Sequence, residues 1–192
     1  MRIIAGAARG RRLVAPTGDT VRPTADRVRE ALFSSLMPLL PGARVLDAFA
    51  GSGALGLEAR SRGAAHVTLV EQDRRALIAL RRNVETIALD GTVVLAGDVL
   101  RMAGTGRIAG APFDLVLLDP PYALEEQRLA RLLDDLLHSL AVGATVVVER
   151  AASAPAPGWP ADLRPVSERR YGSTRLHRAE HAQDDDGGEG AA

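Results

Sequence analysis

Cysteine is absent from this chain of 192 residues, which removes disulfides, thiolate nucleophiles and cysteine-based zinc sites together. That absence suits a reducing cytoplasm. Lysine is absent too: all 24 basic residues are arginine, a bias that GC-rich coding produces without functional selection. No apolar run approaches the roughly 18 residues of a bilayer span. The longest, such as Leu115 to Leu118 and Ala144 to Val148, are of strand length. The opening MRIIAGAARGRR meets arginines too soon for a secretory segment, so a cytoplasmic protein without membrane contact is expected. His66, His138, His177 and His181 lack metal-ligand spacing, and no Ser-His-Asp order stands beside a suitable turn. Neither a metal nor a covalent nucleophile is expected, and no internal repeat is found.

What is present fits one domain of ordinary size, with 46% apolar residues to build its core. The zero net charge hides an asymmetry. Residues 1–30 hold seven Arg against Asp19, Asp26 and Glu30, net +4, while residues 184–192 carry net −4 in a Gly/Ala setting with nothing to pack. The chain therefore divides into an N-terminal arm over 1–41, a core over 42–181 and a disordered acidic tail over 182–192. The basic arm is either a solvated surface or the place where a polyanion would be met, with Arg9, Arg11 and Arg12 as the candidate contacts.

The arm reads as a small hairpin, Arg2 to Ala5 and Arg11 to Ala15, followed by a helix opened at Pro23-Thr24 and ended by Pro38 and Pro41-Gly42. Thr24 is placed to cap that helix. From Ala43, apolar runs alternate with amphipathic stretches, the pattern of a mostly parallel sheet covered on both faces. The expected strands are Arg44–Ala48, His66–Glu71, Val93–Ala96, Phe113–Asp119 and Ala144–Glu149, then a closing hairpin of Leu163–Arg169 and Ser173–Glu180. Leu77, Leu80, Val84 and Ile87 form one helical stripe, and Leu129, Leu132, Leu133, Leu136, Leu137 and Leu140 a stronger one. Trp159, among prolines, reads as a packing plug.

Two motifs carry chemistry. The first, DAFAGSGALG from Asp47 to Gly56, runs from a strand into a helix, and its glycines permit a tight turn and close approach to a ligand. It spells GxGxxG, so a nicotinamide enzyme is one reading. Asp47 argues for S-adenosylmethionine instead, because a carboxylate there opposes a pyrophosphate but tolerates a sulfonium and an ammonium. Glu71, 20 residues after Gly51, ends the next strand, where it can accept from ribose hydroxyls; Asp98, after the third strand, can accept from an adenine amine. The second motif is Asp119-Pro120-Pro121-Tyr122 at the end of the fourth strand. Its prolines fix a stiff loop without N–H donors, leaving the Asp119 carboxylate and the Pro120 carbonyl to hold the hydrogens of a planar amine while Tyr122 stacks its ring.

With these residues in view, the chain resembles a class I methyltransferase and, more narrowly, the RsmD family of bacterial 16S rRNA guanine-N2 methyltransferases. Further support comes from the opening RIIAGAARGRRL, from RPTADRVREALFSSL at Arg22 to Leu36, and from YGSTRL at Tyr171. The resemblance covers nearly all of residues 1–180 and implies a Rossmann-like α/β fold whose seven-stranded, mostly parallel sheet ends in an antiparallel hairpin. It implies S-adenosylmethionine bound by Asp47, Gly51, Gly53, Glu71 and Asp98, catalysis by Asp119, Pro120, Pro121 and Tyr122, and N2-methylguanine as product. Thr24 and Arg27, in its RPTxDR segment, would line the cofactor entrance or hold its lid; capping and surface charge account for them as well. The implied partner is small-subunit rRNA or the assembling small subunit, met by a monomer. From the residues alone, adenine N6, cytosine N4 and a glutamine amide remain equivalent acceptors, and an RNA-binding protein without activity is a further class.

Overall fold

Each apolar run from Arg44 onward becomes a strand and each amphipathic stretch a helix, because a strand buried on both faces can pair in parallel only through a covering crossover. The computed structural model describes residues 1–16, 23–106 and 108–182, without the side chains of residues 23–26. In chain order the elements are α1 (Pro23–Leu36), β1 (Arg44–Asp47), α2 (Ala54–Ser61), β2 (His66–Glu71), α3 (Arg74–Ile87), β3 (Thr92–Ala96), α4 (Val99–Gly104), β4 (Phe113–Leu118), α5 (Glu126–Leu136), β5 (Leu140–Ala151), β6 (Leu163–Tyr171) and β7 (Thr174–His181). The seven strands form one sheet in the order β3-β2-β1-β4-β5-β7-β6. Pairing is parallel from β3 to β5, and β7 enters antiparallel to both β5 and β6.

Successive strand residues point to opposite faces and so feed two cores. Val45, Leu115, Leu117 and Val147 pack beneath the arm, α1, α2 and α3 with Phe33, Leu36, Leu57 and Leu80. Leu46, Val116, Leu118, Val146 and Val148 pack on the other face against α4 and α5, whose leucines at 129, 132, 133 and 136 are buried. Trp159 packs on this second core, as expected of a plug. Strand order reverses at β1 and β4, and an open α/β sheet binds ligands outside the carboxyl ends of its strands at such a point. The glycine loop follows β1 and the DPPY loop follows β4.

Three expectations need correction. The N-terminal hairpin is present but shorter than its two expected strands: Arg2 bridges Arg12, Ile3 N–H donates to Arg11 O and Leu13 N–H to Met1 O, both at 3.0 Å, while other donors of the arm turn to α2. Ile4 N–H and Ala5 N–H donate to the buried Glu58 carboxylate at 2.7 and 3.0 Å, and Ala8 N–H to Ser61 Oγ at 2.9 Å, so the arm is fastened to α2. A side chain at Gly6 would overlap Ser61 O at 1.8 Å, which shows how closely the two run. Leu140 belongs not to a helical stripe but to β5, where it pairs with Phe113 after a 3-10 turn at Leu137–Ser139 has ended the helix. Finally, α1 begins at Pro23, which places Thr24 in its first turn rather than at the cap. The side chain of Thr24 and the tail from 183 lie outside the described residues.

Candidate active site

A cleft of about 940 Å³ opens across the carboxyl ends of the strands. Ala48 to Ser52 of the glycine loop, Glu71 to Asp73 after β2, and Gly97 and Val99 after β3 line one side; Asp119 to Tyr122 and Glu149 line the other. The arm and α1 bring Met1, Ala15, Pro16, Val28, Arg29 and Leu32 to its mouth.

The glycine loop is built from its β-strand upward. Gly51 (φ +55°) and Gly53 (φ +82°) are both left-handed, a conformation that side chains resist. A Cβ at Gly51 would meet no protein atom within 4 Å, so the space beside it is left to a ligand. Gly53 faces inward instead, where a Cβ would lie 2.5 Å from Leu80, and Gly56 lets α2 settle onto β2, where a Cβ would lie 2.2 Å from Leu69. Gly51 thus faces the cleft while Gly53 serves packing.

Glu71 reaches the cleft with much of its hydrogen-bonding capacity committed. Its Oε2 accepts from Gly51 N–H at 2.8 Å, and its Oε1 accepts from Gln72 N–H and Asp73 N–H at 2.8 and 2.7 Å. A carboxylate offers about four lone-pair sites, so capacity for a ligand hydroxyl remains. Asp47 lies below the loop rather than on the cleft surface, only 1% exposed, with Oδ2 accepting from Gly56 N–H at 2.8 Å. Burial raises its pKa to about 7; the Gly56 bond opposes that rise, and Asp119 and Glu71 add to it. Its Oδ1 has no hydrogen-bond partner among the described residues. Asp98 caps α4 by accepting from Leu100 N–H at 3.0 Å, while its neighbours Gly97 and Val99 face the cleft.

On the acceptor side, Asp119 keeps one face open to solvent, but the surrounding walls crowd out water and raise its pKa to about 6. Pro120 is buried and the Pro121 carbonyl accepts from Leu124 N–H at 2.9 Å, closing the turn without involving the Pro120 carbonyl. Tyr122 is 74% exposed at the rim, its ring available for stacking.

Compared with known proteins, residues 1–180 match a family model described as Conserved hypothetical protein 95. Ribosomal RNA small subunit methyltransferase D of Escherichia coli is 44% identical over 122 residues, covering 64% of this chain and 60% of that protein. YlbH of Bacillus subtilis is 36% identical over 177 residues, covering 91% of this chain and 95% of that one. The solved structure of yhhF from Escherichia coli superposes with a TM-score of 0.84 at 33% identity, covering 95% of this chain and 98% of that one. The chain belongs to the RsmD family of rRNA methyltransferases.

The residues of this RsmD-family protein fit S-adenosylmethionine, the methyl donor of class I methyltransferases. The orphaned Oδ1 of Asp47 and the open space at Gly51 suit a cation-bearing ligand that approaches the backbone closely. Among the described residues no three His, Cys, Asp or Glu cluster to hold a metal, and no helix is long and apolar enough to cross a membrane.

Sequence reasoning missed three residues here. Glu149, near the carboxyl end of β5, lines the cleft with Asp119, and a carboxylate closing an apolar run was the available signal. Arg29, not the exposed Arg27, lines the mouth, its Nη2 donating to Arg2 O at 2.6 Å. Asn83, fully buried on α3, donates to Ser52 O at 2.8 Å and Val14 O at 2.9 Å and accepts from Val14 N–H at 2.8 Å. It ties the glycine loop to the arm. All three arm arginines are exposed, but Arg11 is committed: it donates to Thr86 O and Ile87 O at 2.9 and 2.6 Å and caps the C-terminus of α3.

Proposed function

We propose that this protein methylates the exocyclic N2 of a guanine in small-subunit rRNA, with S-adenosylmethionine as donor. The observation that carries the reading is that the glycine loop, Glu71 and the DPPY loop with Asp119 line one cleft. The donor supplies an electrophilic methyl group on a sulfonium. Glu71 accepts from its ribose hydroxyls, and the buried Asp47 carboxyl, held by Gly56 N–H, contributes negative potential beneath it. Asp119, ionised above its pKa of about 6, accepts a hydrogen from the base amine; this draws the nitrogen lone pair out of ring conjugation and stabilises the positive charge that develops on nitrogen during attack. The Pro120 carbonyl is the second acceptor, and Tyr122 stacks the base.

The arm and α1 form a lid over the cofactor mouth, and the exposed Arg9 and Arg12 contact RNA phosphates. The small-subunit rRNA substrate rests on the names carried by relatives, and the choice of guanine on the resemblance of the motifs to the RsmD family together with an acceptor subsite built from carboxyls. Mass mapping of methylated nucleosides in small-subunit rRNA, with and without the gene for this protein, tests it. Loss of one N2-methylguanine is expected; loss of an N6-methyladenine or N4-methylcytosine instead would replace the acceptor.

A further inference from the structure

We propose that Glu149 reads the acceptor base as guanine, its carboxyl accepting the N1–H hydrogen next to the amine that Asp119 holds. The inference rests on the guanine reading and names the residue that enforces it. Sheet register brings the two acids together: Leu118 pairs with Val148 in the parallel β4–β5 ladder, so Asp119, just past the end of β4, stands beside Glu149, which is still within β5 and pairs with Leu176 of β7. Both line a recess of about 50 Å³ between the DPPY loop and the end of β5, closed by Pro120, Tyr122, Arg150, Ala151 and Ala154. The recess has room for the edge of a base, with its ring against Tyr122. Arg150, the cation in its wall, is paired with Glu126 of α5 and so is committed elsewhere. On the other side Thr174 of β7 hydrogen-bonds the Glu149 carboxyl and orients it.

Two carboxyl groups side by side present two acceptors side by side. Guanine answers with two donors in a row, the N2 amine and N1–H. Adenine N6 and cytosine N4 each have a ring nitrogen beside the amine, at N1 and N3, that is itself an acceptor and meets a carboxylate unfavourably. The cost of unpaired buried acceptors makes such a site reject the wrong amine more strongly than it favours the right one. Burial, reinforced by Asp119, raises the Glu149 pKa to about 8. Even when protonated, the group keeps its carbonyl oxygen as an acceptor; above that pH it has no hydrogen left to donate.

The test uses small-subunit particles whose target position carries either guanine or 2-aminopurine. The analogue keeps the 2-amine but has an acceptor at N1. Single-turnover rates at saturating S-adenosylmethionine are compared at about pH 8.5, above the elevated Glu149 pKa, with cofactor affinity measured by calorimetry. Glu149→Ala is expected to slow guanine methylation about 10-fold or more, the scale of one lost recognition pair, while changing the 2-aminopurine rate and the cofactor Kd less than about 3-fold. Should the smaller side chain unsettle the fold, Glu149→Gln keeps the shape; its amide can donate to N1 of 2-aminopurine, so the guanine-to-2-aminopurine rate ratio should again fall. An unchanged ratio in a folded variant, or equal slowing of both substrates, overturns the assignment while leaving the guanine reading intact. If the parent protein methylates an adenine or a cytosine instead of guanine, both readings fail.

Discussion

Replacing Asp119 exposes the chemistry most directly. Its carboxyl lines the cleft, open to solvent on one face, and burial raises its pKa to about 6. In the proposed reaction the interaction it makes with the amine strengthens as positive charge develops on nitrogen, so its loss should fall on the transition state rather than on cofactor binding. Loss of one preorganised electrostatic partner costs about 100- to 1,000-fold in rate. Asp119→Ala should therefore keep the fold and the cofactor Kd but lose about 100-fold or more in single-turnover methylation of small-subunit particles. Asp119→Asn should lie between, since its amide oxygen still accepts a hydrogen but without charge. The pH profile supplies a second readout. The proposed active form is the ionised one, so the parental rate should fall as pH drops through a step at or below about 6, since the cationic donor lowers the pKa, and Asn should lack that step. A parental rate in Asp119→Ala would reduce the DPPY loop to a structural turn and remove the proposed chemistry.

Glu71→Ala should weaken S-adenosylmethionine binding by at least about 2 kcal/mol by calorimetry, because it removes a charged acceptor and releases Gly51, Gln72 and Asp73 N–H together; an unchanged Kd would take Glu71 out of the cofactor site. Arg9→Gln with Arg12→Gln should weaken RNA binding and flatten its salt dependence by about 0.7 to 0.9 per lost phosphate contact, with the cofactor Kd unchanged. Arg11 is left in place because it caps α3, and an unaltered salt slope would return the arm to an ordinary solvated surface.

The sheet was legible because buried parallel strands are written as short apolar runs, and both functional loops because glycine and proline mark backbones that few other residues can adopt. What escaped depends on partners far apart in sequence. Glu58 reads as a surface acid on a short helix, yet it is fully buried and serves the arm more than 50 residues away. Asn83 interrupts an amphipathic helix without any local sign that its amide bridges Val14 and Ser52. Glu149 is unremarkable as the end of an apolar run until sheet order sets β5 beside β4. Asp47, Asp98 and Arg11 also carry structural bonds that local sequence does not announce, because a helix terminus or tight loop has donors or carbonyls to satisfy and a nearby side chain does so.

The carboxyls around the cleft also show why GxGxxG does not by itself specify a dinucleotide. Asp47, Glu71, Asp119 and Glu149 gather at the ends of four adjacent strands, close enough that Asp119 and Glu71 disturb Asp47, and Asp119 disturbs Glu149. Two unit charges about 8 Å apart interact by about 2 kcal/mol at an effective dielectric constant near 20. A pyrophosphate placed among these acids therefore meets several such repulsions, and every ionised carboxyl adds another. A ligand bearing a sulfonium and an ammonium meets attractions of the same size. The coupling is reciprocal, since a cation in the cleft favours the ionised form of each acid and lowers its pKa. Burial raises the Asp119 pKa to about 6, and occupation of the cleft by the cationic donor moves it downward. The same charge that makes the methyl group transferable thus helps keep Asp119 ionised when the amine arrives.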